Sequence, residues 1–160
     1  VVAIIGILAA VGVVAYNGYT KSAKKSVVKN NYNAIYKKTL MQINECDING
    51  SVKLMRKPND PTYYNRDCAS TNNHQLYMID LIYHMNNSGN PKNPYGDQSG
   101  GGVGSDDAYV KSHPMNSTQD HLIGFVTVYT KGPNMLILQA CFQTPCNQTS
   151  NRLYNEISLP

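Results

Sequence analysis

The chain has 160 residues, 41 % of them hydrophobic and 15 % charged, with 14 Lys and Arg against 10 Asp and Glu for a net charge of +4. That length suits one domain plus an extension, and so low a charge content with so mild a net charge excludes a wholesale polycation. The distribution says more than the total, because six Lys and no acid lie between Val1 and Asn44.

The first element is the run VVAIIGILAAVGVVAY, Val1 to Tyr16, which has no polar side chain before Tyr16 and no charge before Lys21. It is apolar on every side, the pattern of a helix buried in lipid or among other helices. At ~1.5 Å per residue it covers roughly 24 Å, short of the ~30 Å hydrocarbon core, so it reads as most of a span whose start precedes Val1. A secretory signal has its basic flank before the apolar core and a small-residue cleavage site after it. Here the basic residues follow, and no break separates the run from the next segment. That segment continues in helical register: Val28, Tyr32, Ile35, Thr39 and Ile43 recur at steps of three or four, and the six Lys mostly lie off this stripe. One helix is therefore predicted from Val1 to about Asn44, about 66 Å long. A globule made of the remaining residues has a radius of gyration of only about 13 Å and cannot bury it. The lower half needs lipid or copies of itself, and the upper half has a stripe for a head.

The run AIIGILAA followed by V-G-V-V-A-Y resembles the N-terminal signature of type IV pilins and their pseudopilin relatives, densely over Val1 to Lys25. The resemblance implies an apolar helix that is membrane anchor first and filament core later. Ile4, Ile5, Gly6, Ile7, Leu8, Ala9, Ala10, Gly12, Val14 and Tyr16 are then the assembly residues. Mature chains of that family begin several residues earlier, with an N-methylated aromatic or Met and a Glu at the fifth position. Neither is present here, and Val14 stands where the family often has Pro. The implied partners are identical subunits, the inner membrane before assembly and a pilus assembly machinery. The lysine face is expected to be solvated or to pair with acids of neighbouring subunits at about 0–1 kcal/mol per exposed pair. A DNA-binding stripe is the sharper reading of those lysines, but most basic faces are only solvated, and no specific nucleic acid is predicted.

The cysteines place the head. Cys46, Cys68, Cys141 and Cys146 form an even set without metal-ligand C-x-x-C spacing. Of three possible pairings, chain order favours Cys46 with Cys68 and Cys141 with Cys146. Zinc with His74, His84, His113 or His121 is the competing reading, weakened by the scatter of the histidines. Disulfides imply an oxidising compartment, outside the cytoplasm, against the cytoplasmic placement that the positive-inside rule gives the lysines.

Residues 46–73 read as a polar connector with Asn-Gly, Pro58 and Pro61 turn chemistry and at most a short strand at Ser51 to Met55. In pilins this region resembles the variable loop between helix and sheet. HQLYMIDLIYHMNN, residues 74–87, predicts a second, well-buried helix. Asp80 and His84 fall four apart on it, and a helical hydrogen bond between them is expected before a catalytic or metal pair. Residues 90–114 are the loop-richest stretch. Its K-N-P-Y-G, Lys92 to Gly96, is similar to a turn common in pilins and in secretion-system pseudopilins. In the latter the nearby loop can hold calcium, for which Asp97, Asp106 and Asp107 supply oxygen donors. Turns enrich Asp for backbone reasons alone, so no metal and no cofactor is predicted.

The last part, residues 122–159, is β. Leu122 to Thr130 and Met135 to Gln143 flank K-G-P-N as a hairpin, and Arg152 to Leu159 is a third strand. The predicted architecture is α+β, a long N-terminal helix on a small antiparallel sheet, with 1–20 as apolar segment, 21–45 as amphipathic continuation and 46–160 as head. No catalytic constellation stands out, and no enzyme is expected. The function expected from the resemblance is that of a major pilin building a type IV pilus on the bacterial surface, for adhesion, motility, DNA uptake or phage attachment. A major pseudopilin of a type II secretion system is the alternative, and a membrane-anchored periplasmic enzyme or binding domain is further off.

Overall fold

A single helix, α1 (Val2–Asn49), accounts for 48 residues of the fold, about 72 Å at 1.5 Å per residue. The computed structural model describes residues 2–55, 62–68, 74–87, 93–96, 110–111, 120–132 and 134–159. Nothing within α1 breaks it, since Val2 to Asn49 contains no Pro. It ends at Gly50, which takes φ +67° and donates its N–H to the Cys46 carbonyl at 2.9 Å, a left-handed C-terminal cap of the kind glycine permits. The end thus falls five residues beyond the expected Asn44. Glu45 to Asn49 holds no breaker, and Cys46 extends the buried stripe of Val28, Tyr32, Ile35, Thr39 and Ile43 by one more step.

The chain turns at Gly50 into β1 (Ser51–Met55), which pairs antiparallel with β2 (Tyr63–Asp67) from Ser51↔Asp67 to Met55↔Tyr63. β1 is the short strand allowed at Ser51 to Met55, and β2 is the departure from the reading of 46–73 as connector. β1 buries Val52, Leu54 and Met55, whereas no residue of β2 is fully buried, so Tyr-Tyr-Asn-Arg-Asp has no apolar alternation to reveal it. Next comes α2 (His74–Asn87), over the predicted span, with Leu81, Ile82 and Met85 in the core.

The second sheet has the order β3-β4-β5-β6, formed by β3 (Val110–Lys111), β4 (Val126–Thr130), β5 (Met135–Cys141) and β6 (Arg152–Ser158). β4, β5 and β6 are antiparallel neighbours, and Lys131 N–H to Met135 O at 2.9 Å closes the expected hairpin. Two differences from the expectation are local. β3, two residues in a stretch expected to be loop, pairs parallel to β4. β4 starts at Val126 rather than Leu122, because Asp120–Leu122 is a 3₁₀ turn and Gly124 bends the chain at φ +85°.

The core lies between α1, α2 and one face of the second sheet. Val126, Val128, Leu136, Leu138, Ala140 and Ile157 meet the α1 stripe there. Each fully buried Leu or Ile stabilises the fold by roughly 1.5–3 kcal/mol. Tyr32 is the polar exception: its hydroxyl donates to Asn155 Oδ1 at 2.7 Å and lies 3.1 Å from the Leu138 carbonyl. Burial, with Tyr36 stacked beside it, raises the Tyr32 pKa far above the ordinary phenol value, so it stays a neutral donor joining α1 to β5 and β6. Ile137, Gln139 and Cys141, on the opposite face of β5, are buried as well. A strand covered on both faces reads as a nearly continuous apolar run, and MLILQAC does.

Candidate functional site

The predicted assembly residues Ile4, Ile5, Gly6, Ile7, Leu8, Ala9, Ala10, Gly12, Val14 and Tyr16 all lie on α1 and all are exposed. Ile4, Leu8 and Val14 keep 63 %, 67 % and 73 % of their surface. By length and composition this part of α1 is apolar enough to cross a membrane, and none of that span is buried in the fold of its own chain. A Cβ added at Gly6 or Gly12 meets nothing within 4 Å. The described residues therefore supply no packing reason for either glycine, although each costs a helix interior about 1 kcal/mol relative to Ala. A small-xxx-small pair such as Gly6 and Ala10 lets helices approach closely.

Where α1 enters the head, Lys21, Lys24 and Lys29 stay exposed, as expected of a solvated face, and three lysines of α1 also touch the head. Steps of three and four down the stripe from Val28 reach Lys25 and Lys24, then Lys21. Lys24 Nζ stands 5.4 Å from the centre of the Tyr95 ring, Lys29 Nζ stands 4.3 Å from that of Phe142, and Lys25 donates to Gln143 Oε1. Each cation–π contact stabilises by about 0.5–1 kcal/mol at an exposed position. The signal was present in the sequence, since lysines three and four residues below a buried position share its face, but their aromatic partners lie some 70 and 113 positions away.

The N-P-Y-G turn positions one of those partners. Asn93 Oδ1 accepts the Tyr95 N–H at 3.0 Å, and Asn93 Nδ2 donates to the Ile123 carbonyl at 3.0 Å. The Tyr95 hydroxyl donates to the Phe142 carbonyl at 2.9 Å. The turn presses on Gly124 so closely that a Cβ there would lie 1.9 Å from Asn93 Oδ1 and 2.8 Å from Tyr95 Cδ2. The motif is thus a strut between the start of β4, the end of β5 and α1.

Both disulfides are formed, Cys46–Cys68 and Cys141–Cys146. The first joins the last turn of α1 to the end of β2, and the second closes the loop that carries Phe142 and Gln143. With all four sulfurs in disulfides, the competing zinc reading fails for lack of thiolates. His84 is buried in the head and His121 lies exposed on the 3₁₀ turn, while the side chain of His74 and the whole of His113 fall outside the described residues.

The hydrogen bond expected between Asp80 and His84 is not the one made. Asp80 pairs with Arg66 of β2, whose guanidinium also contacts the Tyr64 hydroxyl. β2 was not foreseen, and so neither was this partner. Burial first and the bond to Asp80 second push the Tyr64 pKa up to about 12. His84 packs edge-on against the Tyr63 ring at 6.0 Å, with Nδ1 buried and unpaired. Burial, and secondarily Lys38, lowers its pKa, so the imidazole is neutral at neutral pH. The calcium candidates Asp97, Asp106 and Asp107 lie outside the described residues. Among the described residues no group of three or more His, Cys, Asp or Glu is placed to hold a metal.

Compared with family models, with curated proteins and with solved structures, the chain matches none. What the coordinates define is an α+β protein in which a long N-terminal helix with an apolar stretch packs its second half on a small sheet region stapled by two disulfides. That architecture is compatible with a pilin-like fold, and its apolar helix and disulfides fit a membrane-anchored head.

Proposed function

We propose that the chain is a structural subunit that polymerises through α1 into a type IV pilus-like filament on the bacterial surface. The observation that carries this reading is the continuity of α1: one unbroken helix is core to the head from Val28 upward and is exposed and apolar from Val2 to Tyr16. Leaving the apolar stretch from Val2 to Tyr16 in water is unfavourable, since burying each large side chain is worth roughly 1.5–3 kcal/mol. Lipid covers them before assembly, and copies of the same helix cover them in the filament. Gly6 and Gly12, idle in the monomer, supply the close approach. The head, held by disulfides, suits the oxidising exterior, and the subunit is proposed to be non-catalytic.

Long loops and two disulfides favour a major pilin over a major pseudopilin, because they suit a head exposed outside the cell. The test is negative-stain microscopy of sheared cell-surface material, with mass spectrometry of the filaments. Abundant surface filaments composed of this chain support the pilin. A chain found only in the cell envelope, with protein secretion lost on its deletion, supports the pseudopilin instead. A monomeric envelope protein with no filament under any condition overturns both.

A further inference from the structure

We infer that the base of the head is a docking surface for anionic phospholipid headgroups, formed by Lys21, Lys24 and Lys25 with the Tyr95 and Phe142–Gln143 segments against which two of these lysines rest. The inference rests on the membrane-anchored state proposed above and concerns what the head does while there. The stripe that α1 buries in the head ends at Val28, and Lys25, Lys24 and Lys21 follow at the next steps down the same face. They therefore lie directly beneath the head, between it and the apolar span.

The vertical distances fit a bilayer. Tyr16 and Tyr19, both exposed, mark the interface where aromatic side chains collect at the edge of the hydrocarbon. The headgroup layer is about 5–7 Å thick on each side, and Lys21 lies about 7.5 Å above Tyr16 along the helix. Lys24 and Lys25 follow one turn higher, with their ammonium groups against Tyr95 and Gln143, and add to the positive field above the headgroups. Contacts of Lys24 with Tyr95, Lys25 with Gln143 and Lys29 with Phe142 hold the turn at 93–96 and the 141–146 loop about one to two helical turns above Lys21. The charges on this part of α1 are of one sign, since α1 carries no acid before Glu45. Among the described residues, Asp120 is the acid bonded into the 141–146 loop, its Oδ1 accepting the Cys146 N–H at 2.6 Å. Lysines next to a span attract phosphate groups of an anionic leaflet and fall silent beyond a Debye length.

The test uses the full chain in bilayer nanodiscs carrying a headgroup spin label, either of phosphatidylcholine alone or with phosphatidylglycerol. Amide signals of Tyr95, Phe142 and Gln143 are expected to broaden in the anionic bilayer and to recover in the Lys21→Gln/Lys24→Gln/Lys25→Gln variant. Lys21→Gln alone, at an exposed position with no hydrogen bond, ion pair or ring contact among the described residues of the head, is expected to give part of that recovery with an unchanged melting temperature. Equal broadening in the two lipids, or no recovery in either variant, overturns the inference while leaving the anchor standing. Shifts of the same residues by inorganic phosphate without any bilayer also overturn it, in favour of a free-phosphate site. Failure of the chain to float with phosphatidylcholine vesicles overturns the anchor, and the inference with it.

Discussion

The two halves of α1 are built from one continuous helix and yet obey different physics. From Val28 upward one stripe, Val28, Tyr32, Ile35, Thr39, Ile43 and Cys46, is covered by the fold of the chain itself, while Met41 and Ile48 off that stripe stay exposed. Below Asn17 apolar residues surround the helix, and among the described residues nothing covers any of them. The lesson is that helix formation and helix burial are separable: both halves have the propensity, but only one has a partner within the same molecule. Stability of the head is thus decided by the upper half, and any assembly or anchoring by the lower.

The strongest way to break this comparison is a bulky residue in the lower half. Gly6→Leu is expected to abolish filaments on sheared-cell micrographs while leaving the melting temperature of the head unchanged, because a Cβ at Gly6 meets nothing within 4 Å among the described residues. Normal filaments from this variant would rule out close packing at this position. Next in size, Ile35→Ala in the upper half should cost about 2–5 kcal/mol of head stability in denaturant unfolding. Ile7→Ala in the lower half should leave the same transition within ~0.5 kcal/mol. Equal losses from the two would erase the distinction.

The disulfides sharpen it further. Loop-closure entropy makes removal of Cys46–Cys68, 22 positions apart, cost about 3 kcal/mol, and removal of Cys141–Cys146, 5 apart, about 2 kcal/mol. Paired Cys→Ser variants compared by urea midpoint check the order. Gly124→Ala, combining a positive φ with a collision against Asn93, is expected to cost about 1–3 kcal/mol. The contact of Lys24 with Tyr95 should loosen with it, seen as a shifted Tyr95 ring resonance.

The smallest effect is one of pH, and it belongs to the upper half alone. The pKa of His84 is lowered in the fold, by burial and then by Lys38, whereas in the unfolded chain it lies near 6.5. Above about pH 6.5 neither state binds the proton and this contribution is complete. As the pH falls below that value only the unfolded state takes up the proton, so stability drops until the folded value is passed. His84→Phe should flatten the decline in urea midpoint on acidification, while a variant in the apolar span leaves the slope as it is.

How much of this was legible follows from the range of each interaction. The apolar run, the stripe from Val28 to Ile43, the helix at 74–87 and the hairpin around 131–134 are written in local periodicity and turn chemistry, which need no knowledge of the fold. Even the neighbouring cysteines follow from chain order. β2 stayed hidden because its side chains are only half covered and its strand character comes from the hydrogen bonds of β1. Two residues of β3 are too few to leave a period. The partner of Asp80, the unpaired Nδ1 of His84, the strut from Asn93 to Gly124 and the resting of Lys24 and Lys29 on Tyr95 and Phe142 join positions far apart in the chain. Sequence alone determined that there is a long helix with two unlike halves and an α+β head. Tertiary structure alone decided which lysines, which carboxylate and which glycine have partners, because those contacts depend on where three-dimensional packing brings distant segments to the same place.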